Sequence, residues 1–137
     1  IAATIAHLLR DHVQCHGLGV VTGAETGFLL EQNPDTVRAP DVAFVERSRL
    51  PVSEPTGFFP GAPSLAVEVA LPHGSRAALH AKASDWLQYG CGEVWLVDPA
   101  DRTLTILGVA ETRRFGSSEQ IESRLLPGLR FVVDSVF

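Results

Sequence analysis

Two acidic residues lie inside segments that otherwise resemble buried β-strands. Asp41 opens the run Asp-Val-Ala-Phe-Val, and Glu68 stands in the middle of Leu-Ala-Val-Glu-Val-Ala. Because side chains alternate across a strand, Asp41 shares its face with Ala43, and the bulkier residues point the other way. By the same alternation, Glu68 shares its face with Ala66 and Ala70. The alanines leave room beside each carboxylate for a group that is not protein.

An ionised carboxylate in an apolar environment needs a partner, because an unpaired buried charge is costly or becomes protonated. Two such carboxylates on adjacent strands would also repel each other. A divalent cation resolves both problems, since Mg²⁺ prefers carboxylate oxygens, water and phosphate as ligands. The alternatives are a salt bridge to one of the ten arginines or a position at the edge of a sheet. The residue pattern alone leaves these choices open.

The chain contains a single lysine, Lys82, among eleven basic residues. Lysine can lose its proton when its pKa shifts, whereas arginine effectively cannot, so this position favours a chemical role for the amine. Lys82 falls on a predicted helix directly after the Glu68 strand, from which its ammonium group can reach the carboxylate. An ion pair with Asp85, three residues further along the same helix, is the ordinary alternative.

A second group of metal-binding residue types occurs near the N-terminus. His12 and His16 are four residues apart on a predicted helix, and Cys15 lies beside them. This spacing is able to bind zinc, but the sequence supplies no third ligand at a set distance. A solvent-facing or capping role near the helix end is the simpler interpretation.

Several other residues are weaker candidates for the site or its support. Candidate phosphate contacts are Arg47, Arg49, Arg76, His73 and His80, each with a solvated surface role as its alternative. Glu25 is a candidate for the wall of the same cleft. Asp98 opens an Asp-Pro turn and is expected to be structural, and Trp86 and Trp95 are expected in the core.

A sheet and two helices must position these residues. Apolar residues at helical spacing predict a helix over residues 1–16, and an alanine-rich segment predicts another over 75–89. Alternating or continuous apolar runs predict β segments at 19–22, 27–30, 41–45, 64–71, 93–97 and 103–107. We expect a turn at 33–35, a loop over 46–63, and a hairpin made by the turn at 98–101. In the tail we expect a further hairpin-like pair and then a β segment that ends at Phe137. The helix 75–89 is placed to join two parallel strands. The predicted class is α/β or α+β, with one mixed central sheet flanked by helices.

Composition limits the classes of protein that fit. With 137 residues, 45% hydrophobic and 20% charged, the chain is expected to form a single domain over residues 1–137. It begins at Ile1 and contains no methionine, so we expect its native N-terminal segment to be missing. A net charge of −5 argues against coating by nucleic acid through bulk charge, so any contact with a polyanion must be local.

Other features bear on the compartment. No run of about 18 apolar residues occurs, so no membrane-spanning segment is expected. No signal peptide opens the sequence. The two cysteines, Cys15 and Cys91, are too few for a disulfide-stapled secreted domain, so a cytoplasmic location is expected.

Several blocks of the chain together resemble the Uma2 family of restriction endonuclease-like proteins, within the PD-(D/E)XK nuclease superfamily. The resemblance covers about residues 17–137. Its blocks are TGAETGFLL, VRAPDVAFVERSRLP, PSLAVEVALP, KASDWLQYGCGEVWLVDPADRTLTI and LLPGLRFVVDSVF. They occur in the order and spacing of the family, which implies a restriction-endonuclease-like fold.

The resemblance also implies roles for individual residues. Asp41 and Glu68 correspond to the family's two acidic metal ligands, and the backbone carbonyl of Val69 corresponds to a third ligand. Lys82 corresponds to the family's helix lysine. The chain departs from the wider superfamily at Ala70, where that pattern has a lysine. It also departs from relatives at Leu71, where they commonly carry a serine. Relatives carry further acidic residues upstream of the first helix, in a segment that the present sequence does not include.

These implications lead to two hypotheses of different classes. The first is an enzyme, a Mg²⁺-dependent (or Mn²⁺-dependent) DNA endonuclease that hydrolyses phosphodiester bonds. Double-stranded DNA is the expected partner, and a homodimer is expected because cutting two strands is easiest with two sites. The second is a non-catalytic nucleic-acid-binding or protein-interaction module on the nuclease fold. The acidic net charge favours this alternative.

Overall fold

The structure is a computed structural model that describes residues 1–52 and 57–137. Part of the predicted loop 46–63 therefore lies outside the described residues. Within them, two α-helices, α1 (Ala2–His16) and α2 (Arg76–Gln88), accompany nine β-strands. The strands are β1 (Gly19–Gly23), β2 (Phe28–Glu31), β3 (Thr36–Arg38), β4 (Val42–Glu46), β5 (Phe59–Pro60), β6 (Leu65–Val69), β7 (Glu93–Asp98), β8 (Thr103–Gly108) and β9 (Thr112–Phe115).

The central sheet has six strands in the order β1-β4-β6-β7-β8-β9. Strands β6 and β7 are parallel, and the other neighbours in this sheet are antiparallel. Helix α2 connects the parallel pair, as the sequence predicts. A smaller sheet has the order β3-β2-β5. The mixed α+β fold predicted from the sequence is confirmed.

Each face of the central sheet packs on its own helix. Ile5, Leu9 and Val13 of α1 join a buried cluster with Val42 and Val67. On the other face, Ala83 and Trp86 of α2 belong to a second cluster that also contains Ala43 and Ala66. The predicted alternation along β4 and β6 is therefore confirmed, and it directs Asp41 and Glu68 to the α2 face.

The C-terminal tail differs from its prediction. The expected β segment ending at Phe137 is instead irregular, with an isolated bridge between Gln120 and Val132 and a 3₁₀ helix over Val133–Val136. The segment is held by a few separate backbone hydrogen bonds to residues 117–121, from Ile121 N–H to Phe131, Val133 N–H to Glu119 and Asp134 N–H to Ser117, rather than by a continuous ladder. Upstream of it, the buried carboxylate of Glu93 accepts the backbone N–H groups of Arg124 and Leu125 at 2.9 and 3.1 Å, so these donors are satisfied by a side chain rather than by a neighbouring strand.

Two short elements were not predicted. Strand β3 lies between the turn at 33–35 and Asp41, and β5 pairs in parallel with β2. Strands of two or three residues are too short to show an alternation of apolar and polar residues in the sequence. Among the described residues, no helix combines the length and apolar character that a membrane crossing requires.

Candidate active site

Asp41 and Glu68 meet at one end of the central sheet. Val42 and Val67 are register partners in the β4–β6 pair, Asp41 directly precedes Val42, and Glu68 directly follows Val67. Both carboxylates lie on the face covered by α2. They line a cavity of about 380 Å³ together with Val69 and Lys82. The structure thus brings together all four residues expected to form the site.

The backbone of β6 orients the Asp41 side chain. Its Oδ2 accepts the N–H of Val69 at 2.7 Å, and its own N–H donates to the carbonyl of Val67 at 3.0 Å. Pro40, which has no N–H to donate, precedes it. The Asp41 carboxylate therefore accepts the N–H of Val69, which a backbone carbonyl would accept if β4 extended further. Among the hydrogen bonds of the described residues, none uses Oδ1 of Asp41.

Glu68 is buried, with only 3% of the residue exposed. Its Oε1 accepts the indole N–H of Trp86 at 3.0 Å, and its Oε2 lies 3.4 Å from Nζ of Lys82. Burial raises the pKa of Glu68 above its ordinary value, and the charge of Asp41 raises it further, against the opposing effects of Trp86 and Lys82. The net effect disfavours the ionised form, so the pair is suited to an added positive charge.

Lys82 contacts the site rather than its helix neighbour. Its side chain is half exposed and reaches Glu68, whereas Asp85 forms an ion pair with Arg38 at 2.8 Å. The alternative of an intrahelical Lys82–Asp85 pair is therefore wrong, because β3 supplies Asp85 with a closer cation. The lysine ammonium stands between solvent and the buried carboxylate.

Trp86 has a role that the sequence did not reveal. It is fully buried, as expected for a core residue, but its indole N–H also fixes one oxygen of Glu68. Lys82 and Trp86 are four residues apart on α2 and so project from the same helix face. That spacing, opposite an acid in the preceding strand, is the signal that was available in the sequence.

Arg76 and Asp98 also line the cavity, on the side of β7. Oδ1 of Asp98 accepts the N–H of Ala100 at 2.9 Å, which is the expected turn contact. Its Oδ2 lies 3.3 Å from Nη2 of Arg76, which also contacts Asp101. Asp98 is thus a turn residue and, in addition, part of the wall of the cavity.

The remaining candidates are not among the residues that line the cavity. Arg49 donates to the carbonyl of Gly90, just past the far end of α2, and Arg47 lines a separate depression with Gly17. These two arginines are therefore not phosphate contacts of this cavity. His73 and His80 are exposed, and each is next to a residue that lines the cavity, so both stay candidates for a phosphate contact at its rim.

Glu25 is also outside the residues that line the cavity. Its carboxylate lies against Gly23, at the end of β1 that pairs with Val42. It is therefore on the same edge of the sheet, one strand beyond Asp41, and not in the wall of the cavity.

The histidine pair on α1 does not form a metal site. Nδ1 of His16 lies 2.9 Å from the carbonyl of His12, and their ring centroids are 4.5 Å apart. Burial, followed by the proximity of His16, lowers the pKa of His12. The described residues contain no group of three or more His, Cys, Asp or Glu side chains able to hold a metal ion.

A sequence comparison with protein families decides the relationship. The Uma2 family model, described as "Putative restriction endonuclease", matches residues 1–134. The chain belongs to the Uma2 family. This membership confirms the resemblance, and it supports a nuclease as the general class of activity for this Uma2 protein.

A solved structure shows that the fold is shared. A crystal structure from Anabaena variabilis, described as "a putative nuclease belonging to DUF820", superposes with a TM-score of 0.85 at 18% sequence identity. The match covers 99% of this chain and 77% of the other. No curated protein matches the Uma2 chain significantly.

Proposed function

We propose that this Uma2 protein is a metal-dependent DNA endonuclease with Asp41, Glu68 and Lys82 at its centre. The observation that carries the proposal is the meeting of a buried acid, a second acid on the adjacent strand and the only lysine of the chain at one cavity. An ordinary structural salt bridge between Lys82 and Glu68 would not need Asp41, whose charge opposes ionisation of Glu68. A divalent cation between them accounts for the two acids, and a role in hydrolysis accounts for the lysine beside them.

Mg²⁺ or Mn²⁺ fits the donors that the chain offers. Asp41 and Glu68 supply carboxylate oxygens, which are the ligands that hard divalent cations prefer. The carbonyl of Val69 is the proposed third ligand, because an extended residue directs its N–H and C=O to the same edge of the strand, and the N–H of Val69 points to Asp41. With two carboxylates, the remaining positions are left for water and phosphate.

The protein side chains would divide the work of hydrolysis. Bound there, a divalent cation would supply charge neutralisation for the phosphate and activation of water. Asp41 and Glu68 would set its position, and the indole of Trp86 would keep Glu68 in one rotamer. Lys82, half exposed at the edge of the cavity, would orient the attacking water or exchange a proton with it.

Duplex DNA is the proposed substrate, and a homodimer is the proposed active form. Hydrolysis of both strands is simplest when two copies of the site act together, related by a twofold axis. Light scattering in solution, with and without a DNA duplex, would measure the oligomeric state directly. A strict monomer that nicks only one strand would reject the dimer and leave the metal site unaffected.

Cleavage of supercoiled plasmid tests the function. We expect wild-type protein to cut in Mg²⁺ or Mn²⁺ and to be inactive in EDTA, and we expect Asp41→Asn and Glu68→Gln to show no cleavage. Asp85→Asn is the matched control, since Asp85 lies one turn beyond Lys82 on α2 but pairs with Arg38. Equal cleavage by all of these proteins would indicate a contaminating nuclease and reject the assignment.

The net charge of −5 favours one second candidate, the non-catalytic binding module. This candidate predicts that the wild type binds nucleic acid, or a partner protein, with no cleavage under any metal. It also predicts that Asp41→Asn and Glu68→Gln bind as well as the wild type does. The metal-dependent nuclease predicts the opposite on both points.

A further inference from the structure

We infer that Arg76, held in place by Asp98 and Asp101, binds a phosphate of the DNA backbone two or three nucleotides from the one that is cleaved. The inference rests on the proposed function and adds a substrate-binding residue to the same site. Arg76 is the one arginine among the described residues that line the cavity. The guanidinium group suits phosphate because its planar fork can donate two parallel hydrogen bonds.

The guanidinium is positioned but not saturated. Its contacts with Asp98 and Asp101 both use Nη2. No hydrogen bond among the described residues uses its Nε or Nη1. The side chain is 68% exposed, so these ion pairs are weak enough for a phosphate to add to them or replace one of them. Asp98 and Asp101 are thus positioning residues for Arg76.

A second cation extends the same surface. Arg114 of β9 contacts Oδ2 of Asp101 at 3.3 Å and is 62% exposed. Arg114 is the register partner of Thr105, and Thr105 is the register partner of Leu96, which packs under α2. Because register partners point to the same face of a sheet, Arg114 lies on the same face as Glu68. Arg76, Asp101 and Arg114 therefore form a continuous polar path that leads from the cavity toward the edge strand.

The spacing assigns Arg76 to a phosphate other than the one that is cleaved. Arg76 and Lys82 are six residues apart on one helix, which is a rise of about 9 Å. One DNA strand rises about 3.4 Å for each nucleotide, so along a duplex that lies parallel to α2 this distance spans two or three nucleotides. A phosphate held between the carboxylates and Lys82 is thus a different one from the phosphate at Arg76.

The test is the salt dependence of DNA binding, measured by fluorescence anisotropy with a short duplex. Ca²⁺ replaces Mg²⁺, and a gel verifies that the duplex stays intact. Loss of one phosphate contact reduces the slope of log Kobs against log[NaCl] by about 0.9. Between roughly 50 and 200 mM NaCl, both proteins should therefore lose affinity, and the fold loss should be about 3.5 times larger for the wild type than for Arg76→Gln. At low salt, its binding should be at least about tenfold weaker.

Three further variants make the result specific. Arg76→Lys should keep the slope but bind more weakly, because the charge remains and the fork is lost. Asp101→Asn should bind more tightly, because it removes a negative charge beside both arginines while Asp98 still positions Arg76. Arg10→Gln, on the exposed side of α1, is the matched control and should behave as the wild type.

An unchanged slope in Arg76→Gln, or an equal change in Arg10→Gln, would overturn the inference while leaving plasmid cleavage unaffected. Absence of duplex binding by the wild type would reject both the inference and the proposed substrate. The two failures are therefore distinguishable, because the slope is measured without cleavage.

Discussion

Two buried glutamates on adjacent strands should respond in opposite ways to the same substitution. Glu68 and Glu93 are 3% and 5% exposed, and each accepts an indole N–H, from Trp86 and Trp95 respectively. Glutamine has nearly the same size and shape as glutamate, so Glu→Gln tests the carboxylate charge with little change in packing. We expect Glu93→Gln to lower the free energy of unfolding and Glu68→Gln to leave it equal or higher.

The loss of stability expected for Glu93→Gln follows from the four hydrogen-bond donors that Glu93 accepts. Oε2 accepts Trp95 Nε1 at 3.1 Å and the hydroxyl of Ser123 at 2.7 Å, while Oε1 accepts the N–H groups of Arg124 and Leu125. The amide nitrogen of glutamine cannot accept, so one oxygen's pair of donors loses its partner. A buried unsatisfied donor costs roughly 1–3 kcal/mol and a charged hydrogen bond is worth about 1.5–3 kcal/mol. We therefore expect a loss of about 3 kcal/mol, or roughly 10 °C in Tm.

The expectation for Glu68 has the opposite sign. The oxygen of glutamine can still accept from Trp86, and the substitution removes only an ion pair with a half-exposed lysine, which is worth about 0–1 kcal/mol. It also removes a buried charge that Asp41 repels. We expect metal-free Glu68→Gln to be more stable than the wild type by up to about 1 kcal/mol near neutral pH.

The difference in stability between Glu68→Gln and the wild type should depend on pH, with a definite sign. The pKa of Glu68 is raised above its ordinary value of 4.5, so the folded state holds the proton more tightly than the unfolded state. Protonated Glu68 therefore stabilises the wild type fully below the pKa of Glu68 in the unfolded state. This contribution is lost as the pH rises through the pKa of Glu68 in the folded state. The advantage of Glu68→Gln should appear over that interval and vanish at lower pH.

Thermal unfolding followed by circular dichroism, in EDTA and in Mg²⁺, measures both variants. Addition of Mg²⁺ should raise the Tm of the wild type and of Glu93→Gln but not that of Glu68→Gln. At one hundred times the dissociation constant, binding adds about 2.7 kcal/mol. If Glu68→Gln were destabilised as much as Glu93→Gln, Glu68 would be an ordinary structural carboxylate and the reasoning would be wrong.

Three further outcomes follow from the same contacts. Lys82→Arg should keep the Tm within a few degrees, because the charge is kept. It should reduce the rate of plasmid cleavage by roughly 10²-fold, because arginine does not give up a proton as lysine can. Full activity would rule out proton exchange at Lys82. Trp86→Phe should lower cleavage and the Tm together, since Glu68 loses its indole donor, whereas an unchanged rate would assign Trp86 to the core alone. Burial raises the pKa of Cys91 to about 12, so a thiol reagent at mildly alkaline pH should label one cysteine, the exposed Cys15, in folded protein and two in denaturant.

Much of the site was predictable from local pattern, because alternation along a strand is a local property. The common face of Asp41 and Glu68, and the helix that carries Lys82, follow from runs of five to fifteen residues. The parallel arrangement of β6 and β7 follows from the helix between them. What these patterns cannot specify is register, and it is register that sets Val42 opposite Val67 and so brings the two acids together.

The features that were missed depend on contacts distant in sequence. The segment around Trp86 is typical of a core helix, and its spacing from Lys82 indicates a shared helix face but does not specify that the indole contacts Glu68, 18 residues earlier. The tail has the pattern of a strand, but its backbone bonds residues 117–121 at only a few points and ends in a 3₁₀ helix. A local ion pair of Asp85 with Lys82 was the alternative, and β3, itself too short to predict, supplied Arg38 to Asp85 instead. In each case, a tertiary hydrogen bond or ion pair overrode the local signal.

The charges that line the cavity determine the order in which a nuclease of this kind would bind its ligands. Three carboxyl groups, those of Asp41, Glu68 and Asp98, face two cations, Arg76 and Lys82, so ionisation of all three gives the cavity a net negative charge. A DNA phosphate would be repelled from it, in agreement with the net charge of −5. One divalent cation reverses the sign of the cavity. Loading with metal would therefore precede DNA, and the acidic composition that argues against a nucleic-acid coat is compatible with a substrate that binds only to the metal-loaded site.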